Sequence, residues 1–228
     1  MLELDVVVTK DNVVVVSHDP VIDAAICSGP KTGIAIRTLT LAELKEYDCG
    51  AKQNPSFATQ VPVPGTHMPA LDEVFDLGRG NTVEFNVETK ISTDNPEWTP
   101  GPEAFTQLVL DLIRKHGIEQ RVILQSFDPR TLRAMKKLDA NVRRAVLFEE
   151  PADWPEIARE FEATICGPEF HLVTPERVAQ AHAAGLQVVP WTVNDPSDWA
   201  RLADARVDAI ISDDPAALIA WLEDKGLR

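Results

Sequence analysis

Short apolar runs alternate with segments of helical spacing through the second half of the chain. Four of these runs lead into an Asp-Pro or Thr-Pro pair followed by a helical segment: Asp128-Pro129, Thr174-Pro175, Asp195-Pro196 and Asp214-Pro215. Asp or Thr caps the free N–H groups at a helix start, and Pro at the first helical position loses no hydrogen bond. Apolar strands that alternate with helices predict a parallel sheet covered by helices.

The number of apolar runs predicts a barrel. We interpret seven runs as barrel strands, over residues 2–8, 82–88, 121–127, 144–148, 163–167, 187–193 and 208–212, and one clear amphipathic helix over residues 103–116. The predicted fold class is α/β, a TIM-type (β/α)8 barrel with seven recognisable strands and the first β/α unit absent. We expect the missing unit to lie before residue 1. An open barrel exposes two strand edges, so the chain as written is expected to be unstable or self-associating.

Two segments interrupt the alternation. Thr9-Lys10-Asp11-Asn12 separates two Val-rich runs and predicts a hairpin, whose return arm leads to Ser17-His18-Asp19. Residues 20–68 are rich in Gly, Pro and Thr. A loop of that length is rare inside a domain unless it has a function, so we interpret it as an insertion over the barrel mouth, with a short helix at residues 41–47. The whole chain, residues 1–228, is predicted to be one domain.

Charge limits the partners. The chain has 22 Lys and Arg against 36 Asp and Glu, a formal net charge of −14. This field repels polyphosphate backbones, so no nucleic-acid partner is expected. A small phosphate substrate remains compatible with it, because a bound divalent cation can reverse the local field. The sequence does not indicate an oligomeric state.

Cysteine spacing and hydropathy exclude several classes of protein. Cys27, Cys49 and Cys166 are widely spaced, and we interpret them as structural or incidental thiols, neither a disulfide framework nor a zinc site. We find no run long enough to span a bilayer and no signal peptide. The chain as written is therefore expected to be soluble and cytoplasmic, with export possible if an upstream segment is missing.

Polar side chains alternate along two of the predicted strands. Glu3 and Asp5 share one face of the first strand, and Asn86, Glu88 and Lys90 share one face of the second. Unpaired acids inside a barrel are costly to desolvate, and a divalent cation with oxygen ligands would remove that cost. We therefore predict a metal site of three carboxylates, in which Glu88 completes the pair formed by Glu3 and Asp5.

Three more residues are candidates for the same site. His18 is expected close to Asp5, where an imidazole suits general acid or base catalysis near neutral pH. Lys90 is expected to hold a phosphate oxygen. Trp191, near the end of a predicted strand, is expected either to form a wall of the substrate pocket or to belong to the barrel core.

A set of ordered motifs resembles the glycerophosphodiester phosphodiesterase family, which has a phosphatidylinositol-phospholipase-C-like phosphodiesterase barrel. The motifs run nearly end to end: Glu3-Leu4-Asp5-Val6, Thr9-Lys10-Asp11, His18-Asp19, Thr38-Leu39-Thr40-Leu41-Ala42-Glu43-Leu44, Pro69-Ala70-Leu71-Asp72-Glu73-Val74, Glu88-Thr89-Lys90, Gln125-Ser126-Phe127-Asp128, Trp191-Thr192-Val193-Asn194 and Asp208-Ala209-Ile210-Ile211-Ser212-Asp213. Each motif alone is weak, and the ordered set is specific.

The resemblance implies a role for each matching residue. Glu3, Asp5 and Glu88 match the family's ligands for calcium or magnesium, His18 matches the second of two catalytic histidines, and Lys90 matches a basic residue near the phosphate. The family's first catalytic histidine belongs to a His-Arg-Gly motif, and the sequence contains no His-Arg pair. In the family this motif lies on the first barrel strand. We therefore expect the true start to lie upstream or the chain to be truncated, and we expect turnover to depend on the missing strand.

Three functions follow as hypotheses. The first is metal-dependent hydrolysis of a small glycerophosphodiester to an alcohol and glycerol phosphate. The second is phospholipase D-like chemistry on the same barrel, against which the Glu88-Thr89-Lys90 and Trp191-Thr192-Val193-Asn194 segments argue. The third is a truncated, inactive fragment.

Overall fold

The computed structural model describes residues 1–54, 57 and 60–228, and these form two compact units, Met1–Val142 and Arg143–Arg228. The described residues contain seven β-strands and eight α-helices, and short 3-10 turns join several of them. Six of the seven strands match predicted barrel strands, and the seventh is the return arm of the predicted hairpin.

Four strands of the first unit lie side by side in the order β2-β1-β3-β4. The pairing is parallel except between β1 and β2, as the hairpin predicts. The strands are β1 (Leu2–Val8), β2 (Val14–Val16), β3 (Phe85–Thr89) and β4 (Val122–Ser126), and the helices are α1 (Leu41–Leu44), α2 (Leu71–Asp76), α3 (Pro102–His116) and α4 (Pro129–Leu138).

The hairpin turn is held by its own side chains. Thr9 Oγ1 accepts a hydrogen bond from the Val13 amide at 3.0 Å, and it donates to Asp11 Oδ1 at 2.6 Å. Asn12 has a φ of 63°, which Asn tolerates better than most residues. Beyond β2 the Ser17 amide donates to the Asp5 carbonyl at 3.0 Å, so the return arm stays paired with β1 up to the residue before His18.

The insertion has a small core of its own. Ile22, Ile36, Leu44 and Tyr47 are buried in one cluster with apolar residues of β1 and β2. Helix α1 ends at Leu44, so the predicted extension to residue 47 is wrong. The chain turns there because the Tyr47 side chain packs into the cluster and its hydroxyl donates to the Lys31 carbonyl at 2.7 Å. Residues 55, 56, 58 and 59 of the predicted insertion lie outside the described residues.

A disulfide links Cys27 to Cys49, so the prediction that these two were free thiols is wrong. Backbone hydrogen bonds in both directions between Ser28 and Asp48 bring the two cysteines together, and sequence spacing does not reveal this pairing. Cys166 is free and buried, and burial raises the pKa of its thiol to about 12. The interpretation of Cys166 as a structural thiol agrees with that environment.

We expect removal of the disulfide to destabilise the first unit. The bond closes a loop over a sequence separation of 22 residues, and chain-entropy arguments give about 3 kcal/mol for a loop of that size. The double variant C27A/C49A should therefore unfold at a lower denaturant concentration than the wild type. Dithiothreitol should destabilise the wild type and leave the double variant unchanged. Alkylation of Cys27 and Cys49 in the unreduced protein, after unfolding in denaturant, would contradict the bond.

The second unit contains three parallel strands in the order β5-β6-β7, joined by helices. The strands are β5 (Arg143–Phe148), β6 (Ile165–Pro168) and β7 (Gln187–Val188), and the helices are α5 (Trp154–Glu160), α6 (Pro175–Ala183), α7 (Pro196–Asp204) and α8 (Pro215–Asp224). The predicted caps are confirmed here, because Thr174, Asp195 and Asp214 each accept a hydrogen bond from a backbone amide in the first helical turn.

The last predicted strand is absent. Residues 208–212 are not a strand, and the strand predicted over 187–193 extends only over Gln187–Val188. The two segments run side by side with isolated bonds, such as Ile211 N to Pro190 O at 3.0 Å. A regular ladder fails because Pro190 has no N–H to donate, and because the Asp208 carboxylate takes the Val188 amide at 2.7 Å.

Candidate active site

Parallel pairing of β1 with β3 brings the predicted carboxylates together. Asp5 lies opposite Glu88, and Glu3 lies opposite Asn86. Side chains two residues apart share one face of a strand, so all four side chains project from the same face of the pair. Glu3, Asp5 and Glu88 each offer a carboxylate oxygen, and these oxygens lie within 4.8 Å of one another.

This oxygen cluster fits a hard divalent cation. Ca²⁺ and Mg²⁺ prefer carboxylate and amide oxygens, and three ionised carboxylates supply enough negative charge to balance a divalent ion. Asn86 offers a fourth oxygen, since it lies opposite Glu3 on the same face of the strand pair. Its Oδ1 is buried and has no hydrogen-bond partner within the described part of the chain. A buried acceptor without a partner is costly, and a cation or its bound water would satisfy it.

Gln125 is a site residue that the sequence argument missed. Its Nε2 donates to Glu3 Oε1 at 2.7 Å, and its Oε1 accepts from Asn86 Nδ2 at 2.8 Å. Gln125 is buried on β4 and lies opposite Glu88 in the β3–β4 pairing. It therefore orients Glu3 and Asn86 at once. The available signal was a polar residue at the end of the apolar run Val122-Ile123-Leu124.

The Lys90 ammonium lies between two of the carboxylates. Its Nζ is 2.8 Å from Glu88 Oε1 and 3.1 Å from Asp5 Oδ1. Both acids and the lysine are largely shielded from water, and the Glu88 side chain is only 8% exposed. One ammonium does not neutralise three carboxylates, so the cluster keeps an excess of negative charge that favours a cation.

The pKa values of Glu88 and Lys90 are both shifted by their buried surroundings. Desolvation raises the pKa of Glu88 to about 7, and repulsion from Asp5 adds to the rise, although Lys90 opposes it. Burial alone would lower the pKa of Lys90, but attraction to Glu88 and Asp5 outweighs it, and the pKa of Lys90 is raised. Lys90 is therefore charged at neutral pH, and Glu88 is close to its titration midpoint.

His18 opens onto the same cleft as Glu88 and Lys90. This cleft has a volume of about 250 Å³, and its other walls include Ser126, Phe127 and Asp128. The His18 side chain is 71% exposed, and its Nδ1 lies 3.0 Å from Asp19 Oδ1. The neighbouring carboxylate orients the ring, so Nε2 is the nitrogen available to a bound molecule.

Trp191 belongs to the second unit. It is partly buried, and its Nε1 donates to the Gly167 carbonyl at 2.7 Å. Its backbone pairs with Glu169 in an isolated parallel bridge. These contacts anchor the ring within its own unit, and the predicted role as a pocket wall stays a prediction.

Comparison with known proteins gives the identity of the family. The profile of the glycerophosphoryl diester phosphodiesterase family matches residues 1–217 of this chain. The chain belongs to this family. The glycerophosphodiester phosphodiesterase of Caldanaerobacter subterraneus subsp. tengcongensis is 33% identical over 99% of the chain and 86% of that protein. The glycerophosphodiester phosphodiesterase of Bacillus subtilis is 29% identical over 94% of the chain and 73% of that protein. The resemblance predicted from the ordered motifs is therefore confirmed.

Solved structures confirm the fold of this glycerophosphodiester phosphodiesterase family member. A candidate glycerophosphoryl diester phosphodiesterase from Silicibacter pomeroyi has a TM-score of 0.90 at 29% identity, covering 99% of this chain and 84% of that one. A phosphodiesterase from Oleispira antarctica, solved with its product sn-glycerol-3-phosphate, has a TM-score of 0.81 at 22% identity, covering 97% and 84%. The predicted α/β class with a TIM-type barrel is confirmed by these neighbours. Among the described residues, no helix is both long and apolar enough to cross a membrane.

Proposed function

We propose that this chain hydrolyses glycerophosphodiesters to an alcohol and glycerol phosphate, using calcium or magnesium held by Glu3, Asp5 and Glu88. One observation supports the proposal most directly. Three carboxylates from two parallel strands converge within 4.8 Å, and Glu88 lines the same cleft as Lys90 and His18. When bound, the cation would neutralise the phosphate and stabilise the charge that develops in the transition state.

Lys90 binds a non-bridging phosphate oxygen in this proposal. Its raised pKa keeps it charged, and the Glu88 and Asp5 carboxylates hold its ammonium at the edge of the cleft. A negatively charged phosphate competes with those carboxylates for the same ammonium. A cation held by Asp5 and Glu88 would offset their charge, and Lys90 would then be more available to the substrate.

His18 transfers a proton during hydrolysis. Water oxygen forms a bond to phosphorus, the bond from phosphorus to the leaving alcohol oxygen breaks, and one proton moves from the water to that alcohol. His18 Nε2 is suited to one half of this transfer, while Asp19 fixes the ring through Nδ1. The family resemblance assigns the other half to a second histidine, in a His-Arg-Gly motif that the 228-residue sequence does not contain.

Hydrolysis of glycerophosphocholine tests the proposal. The 228-residue chain is assayed with Ca²⁺ and with Mg²⁺ alongside any longer form that its gene encodes, and glycerol phosphate is measured enzymatically. We expect release that stops when EDTA is added. Sphingomyelin and lysophosphatidylcholine are assayed in parallel, and faster cleavage of these lipids would favour phospholipase D-like chemistry. No release from any substrate above the buffer rate, by either form of the protein, would refute the proposal.

Removing the charge of Lys90 should strengthen the binding of the cation and lower the rate of substrate hydrolysis. Replacing Lys90 by Met removes a positive charge within 3.1 Å of two metal-binding carboxylates. We expect K90M to bind Ca²⁺ about tenfold more tightly, since a nearby charge pair is worth on the order of 1–2 kcal/mol when partly buried. The same variant should have a kcat/KM at least about tenfold lower, because it loses a phosphate contact. K90R, which keeps the charge, is the control for cation affinity, and weaker Ca²⁺ binding by K90M would contradict the arrangement.

Protons should compete with the cation for Glu88. The pKa of Glu88 is raised to about 7, so below that pH the metal-free site is increasingly protonated and must release a proton to bind a cation. We expect the apparent Ca²⁺ affinity to rise about tenfold per pH unit up to pH 7 and to level off above it. Calorimetry between pH 5.5 and pH 8.5 in buffers of different ionisation enthalpy measures both the affinity and the released proton. A constant affinity over this range would contradict the raised pKa.

A further inference from the structure

A second cavity adjoins the cleft of the candidate active site. It has a volume of about 500 Å³, twice that of the cleft, and no proposed step of the hydrolysis uses it. Asp19 and Pro20 line both spaces, so the two share a wall directly after His18. A substrate whose phosphorus lies beside His18 would therefore have one of its two ester arms near this cavity.

The lining combines apolar surface with negative charge. Trp98 and Val21 supply the apolar part, and Asp19 and Asp23 supply two carboxylates. Among the described residues that line this cavity, none is basic. A phosphate or another anion is therefore disfavoured. An uncharged polyol could donate hydrogen bonds to Asp19, Asp23 and Thr32, but it would gain no attraction between opposite charges. A methylated or unsubstituted ammonium suits both features, since it is attracted to the face of an indole ring and to carboxylates.

Backbone hydrogen bonds and the disulfide brace the wall that carries Asp23. Ile22 exchanges backbone hydrogen bonds with the 33–34 segment, with distances of 2.8 and 2.9 Å. The carbonyl of Asp23 accepts from the Cys27 amide, and Cys27 is fixed by its disulfide. Lys52 Nζ donates to the Ala24 carbonyl at 2.6 Å, on the same turn. A rigid wall lowers the entropic cost of binding, which is expected of a binding site more than of a chance surface gap.

We infer that this cavity binds the cationic head group of the substrate, the ammonium or quaternary ammonium of an ethanolamine or choline ester. The inference rests on the proposed hydrolysis of glycerophosphodiesters. Trp98 and Asp23 determine selectivity for that leaving alcohol, and Asp19 both orients His18 and faces the head group. The glycerol phosphate arm then lies on the side of the cleft away from the cavity.

Selectivity kinetics test the inference. Glycerophosphocholine, with a cationic head group, is compared with glycerophosphoglycerol, whose head group is uncharged, for the wild type, W98A and D23N. Cation–π contacts are worth about 0.5–2 kcal/mol, so W98A should lower kcat/KM for glycerophosphocholine about three- to thirtyfold. For glycerophosphoglycerol the change should stay within about twofold. E97Q is the matched control, because Glu97 precedes Trp98 and is exposed but does not line the cavity.

Free choline gives a readout that needs no turnover. We expect choline, titrated as the probe in NMR, to shift the amide resonances of residues 21–24 and the Trp98 indole resonance, and glycerol at equal concentration to leave them unchanged. D23N should weaken choline binding at least about threefold, and E97Q should not. Equal choline affinity in the wild type, W98A and D23N, or an unchanged preference between the two substrates, would overturn the inference. Absence of all hydrolysis with intact choline binding would refute the proposed function and leave the head-group site standing.

Discussion

Replacing Glu88 by Gln is expected to reduce Ca²⁺ affinity by at least about 100-fold. Substitutions of residues that only support metal ligands cost about 10–100-fold, so loss of a ligand charge should cost at least as much. Gln keeps the size of the side chain, so the buried position next to Asp5 stays filled. Turnover should fall by at least the same factor at sub-saturating Ca²⁺. Calorimetry gives the affinity, and glycerol phosphate release gives the rate.

E84Q is the matched control for this experiment. It makes the same chemical change one residue before β3 and on the same alternating face, roughly 13 Å away from Glu88 along the chain. We expect E84Q to bind Ca²⁺ and to hydrolyse glycerophosphocholine like the wild type. Equal losses in E84Q and E88Q would indicate a general effect of negative charge and would count against a specific site.

Replacing His18 by Asn is expected to lower kcat by about 10²- to 10⁴-fold, the range typical of general acid–base catalysis. The Ca²⁺ affinity should stay within about twofold of the wild type, because His18 contacts Asp19 and not the three carboxylates. A loss of kcat with unchanged Ca²⁺ affinity and unchanged stability separates a proton-transfer role from a structural one, which would lower the stability of the protein.

His171 offers a matched control for His18. It is 74% exposed, and its Nδ1 pairs with the nearby Glu169 carboxylate at 2.8 Å, much as His18 pairs with Asp19. H171N should therefore reproduce the loss of an exposed, carboxylate-paired imidazole without changing turnover. A fall in kcat as large in H171N as in H18N would remove the reason for assigning catalysis to His18.

The cluster of carboxylates could be predicted because it breaks a rule of parallel sheets. Strands buried on both faces are normally apolar, so Glu3, Asp5, Glu88 and Lys90 at alternate positions indicate a polar interior. The hairpin turn then predicts that His18 returns near Asp5, and the pairing of Ser17 with Asp5 agrees with this. Local periodicity and turn chemistry are sufficient for these features.

Other features depend on contacts between distant residues. Gln125 carries no charge, and its bond to Glu3 spans 122 positions, so its place at the end of an apolar run does not reveal which side chains it orients. The Cys27–Cys49 bond depends on the pairing of Ser28 with Asp48, which forms only when the insertion folds. The strand predicted at residues 208–212 fails because the Asp208 carboxylate, and not a backbone carbonyl, takes the Val188 amide. A hydropathy pattern does not distinguish those two acceptors.

A crystal structure of the protein grown with Ca²⁺ tests the central claim most directly. We predict one calcium ion bound by carboxylate oxygens of Glu3, Asp5 and Glu88 at about 2.3–2.6 Å, with His18 opening onto the same cleft. Calcium bound only at other positions would contradict the claim. The claim would also be contradicted if, at a saturating Ca²⁺ concentration, Lys90 still bridged Asp5 and Glu88 and no ion lay among the three carboxylates.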